Sequence, residues 1–449
     1  MPSVESSLLD TEIPSLALGL NRELTRSIVD LLITILRHAD GVAQDCLAQF
    51  ETMPQHCGKR SFKVPRIQQH NYRPNGKAAY RKAMFKFGFG DIEFLPGGEV
   101  ATTIKATTEA QLDTTGNEDG ETSASPTQND AQFLSPVNVG GQTLVLNFDS
   151  GSSDTWVFNT NLPANAQQGH TIYDPTKSTT FQNTLQGSTF NISYGDGSSA
   201  SGPVGVDEFD IGGATVAAQA IGLPDTVADS FVTDSAANGL VGLAFSQLNT
   251  IQPTPQKTFF DNVLPDLTLP VFTAQLKSGE VGSYEFGNID TSSFSGQLTS
   301  APVDSSRGFW EVDSATAAVQ GQTINIAGGT AILDTGTSLM LVPDQMVTAY
   351  WGTVDGAQIS QAAGGVIFPC NTQLPDLQVA IGNNMATVSG DGMNFANVGT
   401  DTRTGEQFCF GGLQSNQGLP FAIYGDVFFK SQFVVFDASG PSVSFAPHS

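Results

Sequence analysis

Short segments of alternating apolar and polar residues dominate this chain, and long helical repeats are rare. Two apolar segments, 144–148 and 330–333, each lead directly into an aspartate, Asp149 and Asp334. Alternation with a period of two is typical of strands that bury one face. The 47 glycines and 23 prolines supply turn residues between such strands. The pattern therefore predicts an all-β body.

Three further elements are predicted from the same pattern. Residues 256–264 and 344–351 have the composition of short helices, and the apolar residues of the second recur at helical spacing. That spacing is more typical of a helix packed on a core than of a binding stripe. Residues 433–436 are predicted to form a late strand that packs back into the body.

A β-hairpin is predicted over residues 190–201. The first strand ends at Tyr194, and the turn that follows, Gly195-Asp196-Gly197, has glycine on both sides of the aspartate. Glycine adopts positive φ without strain, so these residues suit a tight turn.

Length and charge divide the chain into parts. Single cores rarely grow beyond about 250–300 residues, so 449 residues indicate two lobes and an extension. Residues 1–115 hold 13 basic and 13 acidic residues, which leaves 6 basic and 31 acidic residues, a net charge of −25, for residues 116–449. Such a body repels nucleic acid and anionic membranes and suits an acid medium, although acidity that only aids solubility explains it equally well.

The N-terminal part contains a strongly basic run. Residues 59–90 hold nine basic and no acidic residues. A basic run usually indicates a nucleic-acid or anionic surface, but beside so acidic a body it is better explained as an intramolecular partner.

The boundaries follow from composition. Residues 106–130 have the composition of a linker, and we expect maturation cleavage within 110–125. Residues 28–36 are interrupted by charge, so no secretory signal is recognisable, and no apolar run approaches the roughly 18 residues of a membrane span. The predicted parts are an atypical leader at 1–58, a basic inhibitory prosegment and linker at 59–115, an N-terminal catalytic lobe at 116–300 and a C-terminal catalytic lobe at 301–449.

A repeated motif carries the candidate chemistry. Asp149-Ser150-Gly151-Ser152 and Asp334-Thr335-Gly336-Thr337 each follow apolar strand sequence. Gly242 of Leu240-Val241-Gly242 follows Asp149 by 93 residues (242 − 149), and Gly425 of Ile423-Tyr424-Gly425 follows Asp334 by 91 (425 − 334). One Asp-Ser/Thr-Gly tripeptide arises by chance roughly 0.5 times in such a chain and commonly marks a plain turn. Two copies with matched glycine elements indicate a duplicated unit that contributes one carboxylate per copy.

These residues resemble the pepsin-like aspartic proteases, most closely the penicillopepsin and aspergillopepsin type, as a proenzyme. The other matching segments are Asp154-Thr155-Trp156-Val157, Tyr194-Gly195-Asp196-Gly197-Ser198, Phe421-Ala422-Ile423-Tyr424-Gly425-Asp426 and Ser444-Phe445-Ala446-Pro447. The resemblance implies an all-β, bilobed pepsin-like acid protease fold, with two related β-barrel-like lobes, a cleft between them and an N-terminal prosegment. It also implies an aspartic endopeptidase that prefers hydrophobic residues beside the scissile bond.

The resemblance assigns roles to particular residues. Asp149 and Asp334 become a dyad that shares one proton, because close like charges resist double ionisation. Residues Ser150, Gly151, Ser152, Thr335, Gly336 and Thr337 support the dyad, and Tyr194, Gly195, Asp196 and Trp156 form the flap and part of the substrate site. Asp196 is expected to accept lysine before the scissile bond.

The remaining expectations concern the prosegment, the cysteines and the location. Lys86, with Lys82 as runner-up, is expected to sit between the carboxylates and to lock the precursor near neutral pH. Cys370 and Cys409 match the single disulfide of the family, which implies an oxidising compartment, whereas Cys46 and Cys57 are not assigned. Secretion is expected, with an acidic vacuole as the second choice.

No cofactor or metal is expected, because zinc-type cysteine pairs and other catalytic motifs are missing from the sequence. The expected partners are protein and peptide substrates and the protein's own prosegment, without nucleic acid or membrane, and the expected state is a monomer. Two alternatives stay open: a protease-like binding protein that has lost catalysis, and another two-carboxylate enzyme such as a glycoside hydrolase.

Overall fold

A computed structural model describes residues 62–65, 75–86, 133–194 and 198–449, with only the backbone described for 62–65 and for Phe85. All of these residues belong to one compact unit, Lys59–Ser449. The predicted leader with Cys46 and Cys57, the linker and the cleavage region lie outside the described residues. The four predicted parts of the chain stay predictions.

The first half of the body folds into one large sheet. Its strands, in spatial order, are Leu134–Val139, Gln142–Asp149, Gly239–Gly242, Trp156–Val157, Ala214–Gly222, Ser199–Ile211 and Thr189–Ser193, and Thr226–Val227 pairs with Ser199–Ile211. The alternating sequence explains the long strands, because side chains that point inward pack on the core while their neighbours face water.

The second half is built from three smaller sheets. The first contains Glu311–Asp313, Thr330–Leu333, Ala422–Tyr424, Met340–Val342 and Leu413–Ser415. The second contains Gln322–Asn325, Thr316–Val319, Leu377–Ile381 and Asn384–Val388. The third contains Gln358–Ser360, Gly365–Pro369, Gln407–Gly411 and Asn394–Thr400.

A six-stranded sheet takes strands from distant parts of the chain. In spatial order they are Phe62–Pro65, Ser283–Phe286, Val271–Gln275, Gln432–Asp437, Ser442–Pro447 and Thr299–Pro302. The predicted late strand at 433–436 is therefore present, but Ser442–Pro447 follows it as a further strand. Residues 62–65, from the predicted prosegment, occupy one edge of this sheet.

Helices are short and few in the described residues. The α-helices are Gly76–Lys86, Ala164–Gln167, Asp229–Thr233, Phe259–Val263, Asp344–Trp351 and Asp426–Phe429. The 3-10 turns are Pro175–Lys177, Ser246–Leu248, Leu264–Asp266, Ser305–Arg307 and Gly390–Met393. No helix in the described part of the chain is both long enough and apolar enough to cross a membrane.

The two predicted helices fare differently. Asp344–Trp351 is a helix over the predicted range, with Met346, Val347, Tyr350 and Trp351 buried in the core. The earlier prediction at 256–264 is too long, because the helix spans only Phe259–Val263. The Thr258 side chain accepts a hydrogen bond from the backbone N–H of Asp261, and such an N-cap fixes where a helix begins.

An aromatic core joins the two halves. Phe272 stacks on Phe436 with 4.4 Å between ring centroids, and Trp310 meets Phe436 edge-on at 5.2 Å. The Trp310 indole N–H also donates to the backbone oxygen of Leu243 at 2.9 Å. Each buried aromatic side chain of this kind stabilises the fold by roughly 1.5–3 kcal/mol. The all-β pepsin-like fold class predicted from sequence is confirmed.

A disulfide joins Cys370 and Cys409 in the second half, as the family resemblance implied. Cys370 follows the strand Gly365–Pro369, and Cys409 lies in the adjacent, antiparallel strand Gln407–Gly411. The bond therefore links two segments that the central strands of this sheet already bring together.

Candidate active site

Equivalent strand pairs position the two aspartates. Asp149 ends the strand Gln142–Asp149 and pairs in parallel with Gly242. In the other half Leu333 pairs in parallel with Tyr424, and the next residue, Asp334, donates its backbone N–H to the Tyr424 oxygen at 3.0 Å. The duplicated sequence spacing thus corresponds to a duplicated strand arrangement.

The downstream glycines allow these strands to pack closely against the active-site loops. A Cβ on Gly242 would lie 2.6 Å from the backbone nitrogen of Asp154, and a Cβ on Gly425 would lie 2.1 Å from the backbone oxygen of Thr337. Any side chain at either position would push the loop away. The two matched glycines are therefore a packing requirement of the site.

The two carboxylates are buried and have matching hydrogen-bond donors. Asp149 Oδ1 accepts from the Gly151 backbone at 2.9 Å, and its Oδ2 accepts from Ser152 Oγ at 2.6 Å. Asp334 has the same pattern. Its Oδ1 accepts from the Gly336 backbone at 3.0 Å, and its Oδ2 accepts from Thr337 Oγ1. These donors fix the orientation of each carboxylate, so one oxygen of each faces the other half.

Crossed hydrogen bonds join the loops that hold the aspartates. The Ser150 backbone N–H donates to Thr335 Oγ1 at 3.0 Å, and the Thr335 N–H donates to Ser150 Oγ at 2.9 Å. Each hydroxyl in turn donates across to a carbonyl, Ser150 to Leu333 at 2.8 Å and Thr335 to Phe148 at 2.7 Å. The sequence predicts both residues as dyad support but does not predict this exchange of hydrogen bonds.

The glycine of each motif lies against the opposite carboxylate. A Cβ on Gly151 would lie 2.5 Å from Asp334 Cγ, and a Cβ on Gly336 would lie 2.4 Å from Asp149 Cγ. The two glycines, predicted only as dyad support, therefore allow each loop to approach the carboxylate of the other half closely.

Lys86 lies between the carboxylates. It ends the helix Gly76–Lys86, and its Nζ is 2.6 Å from Asp149 Oδ1 and 2.8 Å from both carboxylate oxygens of Asp334. Its side chain is only 4% exposed. Lys82, the runner-up, lies one helical turn earlier and does not contact the aspartates within the described contacts.

Tyr194 and Trp156, which the sequence assigns to the flap and substrate site, contact each other in the first half. Trp156 Nε1 donates to the hydroxyl of Tyr194 at 2.9 Å, and Phe231 packs edge-on against both rings at 5.0 and 5.3 Å. The strands Thr189–Ser193 and Ser199–Ile211 form the predicted hairpin. Gly195 and Asp196, at its tip, lie outside the described residues.

Comparison with known proteins identifies the family. The family model for eukaryotic aspartyl proteases matches residues 132–448, which is well over half of the chain. The chain belongs to the eukaryotic aspartyl protease family. The predicted family, fold and enzyme class are therefore confirmed, while the roles of individual residues stay predictions.

Several fungal proteins are similar to this aspartyl protease. It is 52% identical over 400 residues to a putative aspergillopepsin A-like aspartic endopeptidase of Aspergillus fumigatus, with 86% of this chain and 92% of the relative covered. It is 49% identical over 418 residues to aspartic protease PEP3 of Coccidioides posadasii, covering 89% and 93%. It is 46% identical over 332 residues to penicillopepsin-1 of Penicillium janthinellum, covering 74% and 99%.

Electrostatics distinguish the two aspartates of this aspartyl protease. Burial raises the pKa of Asp334 to about 6, and the charge of Asp149 adds to that rise against the opposing effect of Lys86. Burial also acts to raise the pKa of Asp149, but Lys86 and the hydrogen bonds from Asp334, Lys86 and Ser152 outweigh it and lower that pKa. The pair therefore holds one carboxylate ionised and keeps the other ready to take a proton.

The charge of Lys86 is retained by the same contacts. Burial alone would lower the pKa of Lys86, but the attraction of Asp149 and Asp334 outweighs burial and raises it. The lysine therefore stays protonated throughout the pH range in which the two aspartates titrate.

Sequence reasoning missed some polar residues near the site. Asp154 lies behind the Asp149 loop and accepts hydrogen bonds from the Thr250 backbone at 3.1 Å and from Thr250 Oγ1 at 3.0 Å. Burial raises the pKa of Asp154 to about 6. Asn147, two residues before Asp149, is also buried. The sequence signal that could have identified Asn147 is its position two residues before Asp149, which places both residues on the same face of the strand.

Proposed function

We propose that the protein hydrolyses peptide bonds within proteins in acid, with Asp149 and Asp334 as a dyad that activates water. One observation carries this proposal. Two buried carboxylates, each held by a backbone N–H and a hydroxyl, converge on one small cationic group, Lys86 Nζ, at 2.6–2.8 Å. A site that holds an ammonium group at hydrogen-bond distance from both acids has room for a water molecule in its place.

The convergence of the two carboxylates supports a division of labour between one ionised and one protonated acid. Asp149 begins as the base and removes a proton from water, whose oxygen attacks the peptide carbon. Asp334 begins as the acid and gives its proton to the carbonyl oxygen, which yields a neutral diol. The two residues then exchange roles. Asp149 protonates the departing nitrogen, Asp334 takes a proton from the diol as the C–N bond breaks, and both return to their starting states.

We infer that residues 59–115 act as an inhibitory prosegment. The helix Gly76–Lys86 buries Tyr80 and Met84 in an apolar cluster with Ile332, Leu341 and Ile423 of the second half. Tyr80 also donates its hydroxyl proton to the backbone oxygen of Ser415. The helix thus covers apolar surface next to the dyad while its last residue occupies the catalytic position.

The covered surface supports the proposed substrate preference. Apolar side chains line the second half beside Asp334, and aromatic rings, Trp156 and Phe231, line the first half beside Asp149. Burial of apolar area is the main driving force for binding to such walls. We therefore propose that hydrophobic residues flank the scissile bond.

We further propose that the protein is secreted and acts as a monomer, with an acidic vacuole as the alternative location. A disulfide and a strongly acidic body support an oxidising, acidic destination. A protease-like binding protein is the competing function, but both aspartates and their donors are in place.

Digestion of casein or haemoglobin at pH 3, with and without pepstatin, tests the proposed function. We expect digestion that pepstatin abolishes. If the protein binds casein or haemoglobin without digesting it, the inactive binding protein is favoured. If digestion is equally fast with and without pepstatin, the protein belongs to a different catalytic class.

A second experiment tests the lock. In the precursor, Lys86→Ala removes the cation between the carboxylates, and we expect loss of latency at neutral pH, measured as access of a labelled active-site inhibitor to the cleft. Lys82→Ala, one turn away on the same helix, is the matched control and should stay latent. If Lys86→Ala is as latent as the parent, the lysine is not the lock.

A further inference from the structure

The chain has one position at which its sequence permits an N-linked glycan. Asn191-Ile192-Ser193 has the acceptor pattern, which is asparagine, any residue except proline, and then serine or threonine. No other asparagine of the chain is followed by serine or threonine at the second position. An N-linked glycan on this protein therefore has a single place of attachment, and its presence is decided at one residue.

Asn191 lies on the solvent face of the strand Thr189–Ser193, which is the first strand of the flap hairpin. Exposed and buried residues alternate along it, so that Asn191 and Ser193 are exposed while Phe190 and Ile192 are buried. The Asn191 carboxamide makes no hydrogen bond within the described residues. A sugar attached to it would therefore displace water and would break no contact of the fold.

The substrate site lies on the opposite face of this strand. Phe190, Ile192 and Tyr194 belong to one apolar cluster that also contains Trp156. Adjacent residues of a strand point to opposite faces, so Asn191 points away from that cluster. A glycan at this position would stand behind the flap and leave the cleft open.

The same strand has an open edge. It is the last strand in the spatial order of the large sheet and pairs with its hairpin partner on one side only. On the other side Thr189 donates its N–H to the Gln252 oxygen at 3.1 Å and accepts from the Gln252 N–H at 2.8 Å. Backbone groups of alternate residues point the same way, so those of Asn191 and Ser193 face this edge, where the described residues offer them no partner.

An open edge is a hazard for a protein that is secreted among proteases. Unpaired backbone groups at a sheet edge pair readily with another extended chain. Proteases in turn cut exposed and weakly held segments first, and here such a cut would sever the flap. A large hydrophilic group at the edge would prevent both events by excluding other chains.

We propose that Asn191 is an N-glycosylation site and that its glycan shields the open edge of the flap. In the transfer, the carboxamide nitrogen of Asn191 loses one proton and bonds to the first sugar carbon of a polyprenyl-pyrophosphate oligosaccharide. The bond from that carbon to the pyrophosphate oxygen breaks, and the lipid pyrophosphate leaves. The proposal rests on the proposed secretion, which brings the chain to this donor, and is independent of the catalytic activity.

The first test measures the modification on the full chain, directed by an added leader into the secretory pathway of a fungal host. We expect a glycoprotein whose band shifts to lower mass after treatment with peptide-N-glycosidase, with aspartate found at position 191 afterwards. Asn191→Gln and Ser193→Ala should abolish the shift, whereas Ser193→Thr keeps the pattern and should retain it. Asn183→Gln, which changes another exposed asparagine of the first half, is the matched control and should leave the shift unchanged.

The second test measures the shielding. The glycosylated precursor and the same protein trimmed to one sugar under native conditions are exposed to thermolysin at neutral pH, with pepstatin present. We expect cuts within residues 189–201 to appear several-fold faster in the trimmed protein, with cuts elsewhere unchanged. After maturation both forms should have the same kcat/KM for a short peptide at acid pH, because the glycan stands on the outer face.

Several outcomes would overturn the proposal. An unshifted parent excludes the site, and so does a shift that persists in Asn191→Gln. Equal rates of flap cutting in the two forms exclude the shielding, and a higher kcat/KM after trimming contradicts the placement behind the flap. Failure of the proposed function is distinct, because the parent would then be glycosylated yet would hydrolyse no peptide in acid.

Discussion

The two halves of the active site are almost identical in hydrogen bonding and opposite in electrostatics. Asp149 and Asp334 each accept from a glycine N–H and from a hydroxyl, at nearly the same distances. Yet the pKa of Asp149 is lowered, whereas that of Asp334 is raised to about 6. The difference arises because each carboxylate is part of the other's environment, and the ionisation of one opposes that of the second. Acid and base roles are therefore properties of the pair.

The two halves also meet the helix Gly76–Lys86 in different ways. The second half buries Tyr80 and Met84 in an apolar cluster, whereas the first half faces Lys82 with a cavity that includes an acid and an amide. One side of the helix is thus packed in hydrophobic contacts, and the other lies along a cavity with polar groups in its wall.

The largest expected effect comes from removing either acid. Asp149→Asn and Asp334→Asn, matured by an added protease, should each lower kcat for peptide hydrolysis by about 10²–10⁴-fold, because each residue transfers protons in both halves of the cycle. Asp313→Asn, an exposed acid of the second half, is the control. Equal losses would support interchanging roles, and substantial activity in either amide variant would exclude the dyad.

The two aspartates should differ in how they affect the pH at which the helix Gly76–Lys86 is released. Asp149 has a lowered pKa in the locked state, so its attraction to Lys86 is present at and above the ordinary aspartate range and is lost as pH falls through the lowered value. Asp334 takes up its proton near pH 6 and contributes little attraction below that pH. Asp149→Asn should therefore release the helix Gly76–Lys86 about one pH unit earlier on acidification, and Asp334→Asn should change release much less below pH 6.

Hydrogen exchange of the amides in Gly76–Lys86, pulsed at one fixed pH after equilibration at different pH values, measures this release without any proteolysis. The same shift in both variants would contradict the assignment of the lowered pKa to Asp149. No shift in either would mean that apolar contacts alone hold the helix.

The crossed bonds between the halves should show strong coupling. Ser150→Ala and Thr335→Val should each cost about 1–3 kcal/mol in the free energy of unfolding, because each leaves buried N–H and C=O groups unpaired. Since each hydroxyl accepts from the backbone N–H of the other residue, the double variant should cost less than the sum of the single variants by about 0.5–3 kcal/mol. Urea unfolding at pH 5 measures all four states.

Ser153→Ala provides the matched comparison for this cycle. Ser153 donates to the Phe245 backbone at 2.7 Å, within the first half. Its combination with Thr335→Val should be additive within about 0.5 kcal/mol. If the stability losses of Ser150→Ala and Thr335→Val are also additive, the crossed hydrogen bonds act independently.

The smallest expected effect concerns the hydroxyls that orient the carboxylates. Ser152→Ala and Thr337→Val each remove one hydrogen bond, worth about 1 kcal/mol, so kcat should fall roughly 5-fold in each. Because the Ser152 hydrogen bond helps to lower the pKa of Asp149, Ser152→Ala should also move the acid limb of the pH profile of kcat/KM upward by less than about one unit. An unshifted limb would mean that Ser152 only positions the carboxylate.

Sequence reasoning worked best where chemistry and spacing coincide. The duplicated motifs led to the family and the fold class, which are confirmed, and the strand pairs around Asp149 and Asp334 follow the duplicated spacing. The hydroxyl donors Ser152 and Thr337 lie where they were expected because they are only three residues from their acceptors.

The features that were missed depend on distant parts of the chain. The exchange between Ser150 and Thr335 joins residues 185 apart, and no local pattern distinguishes it from ordinary turn chemistry. Asn147 sits in an apolar strand, and only the folded structure shows that its buried Oδ1 has no hydrogen-bond partner among the described residues. The helix predicted at 256–264 was too long because composition does not show where the cap at Thr258 forms.

The crossed bonds at Ser150 and Thr335 have a mechanical consequence. They tie the backbones together within one or two residues of Asp149 and Asp334. Any rocking of one half against the other therefore turns about a point close to the two carboxylates. Displacements grow with distance from that pivot, so the outer walls can part while the spacing of the two carboxylates stays constant.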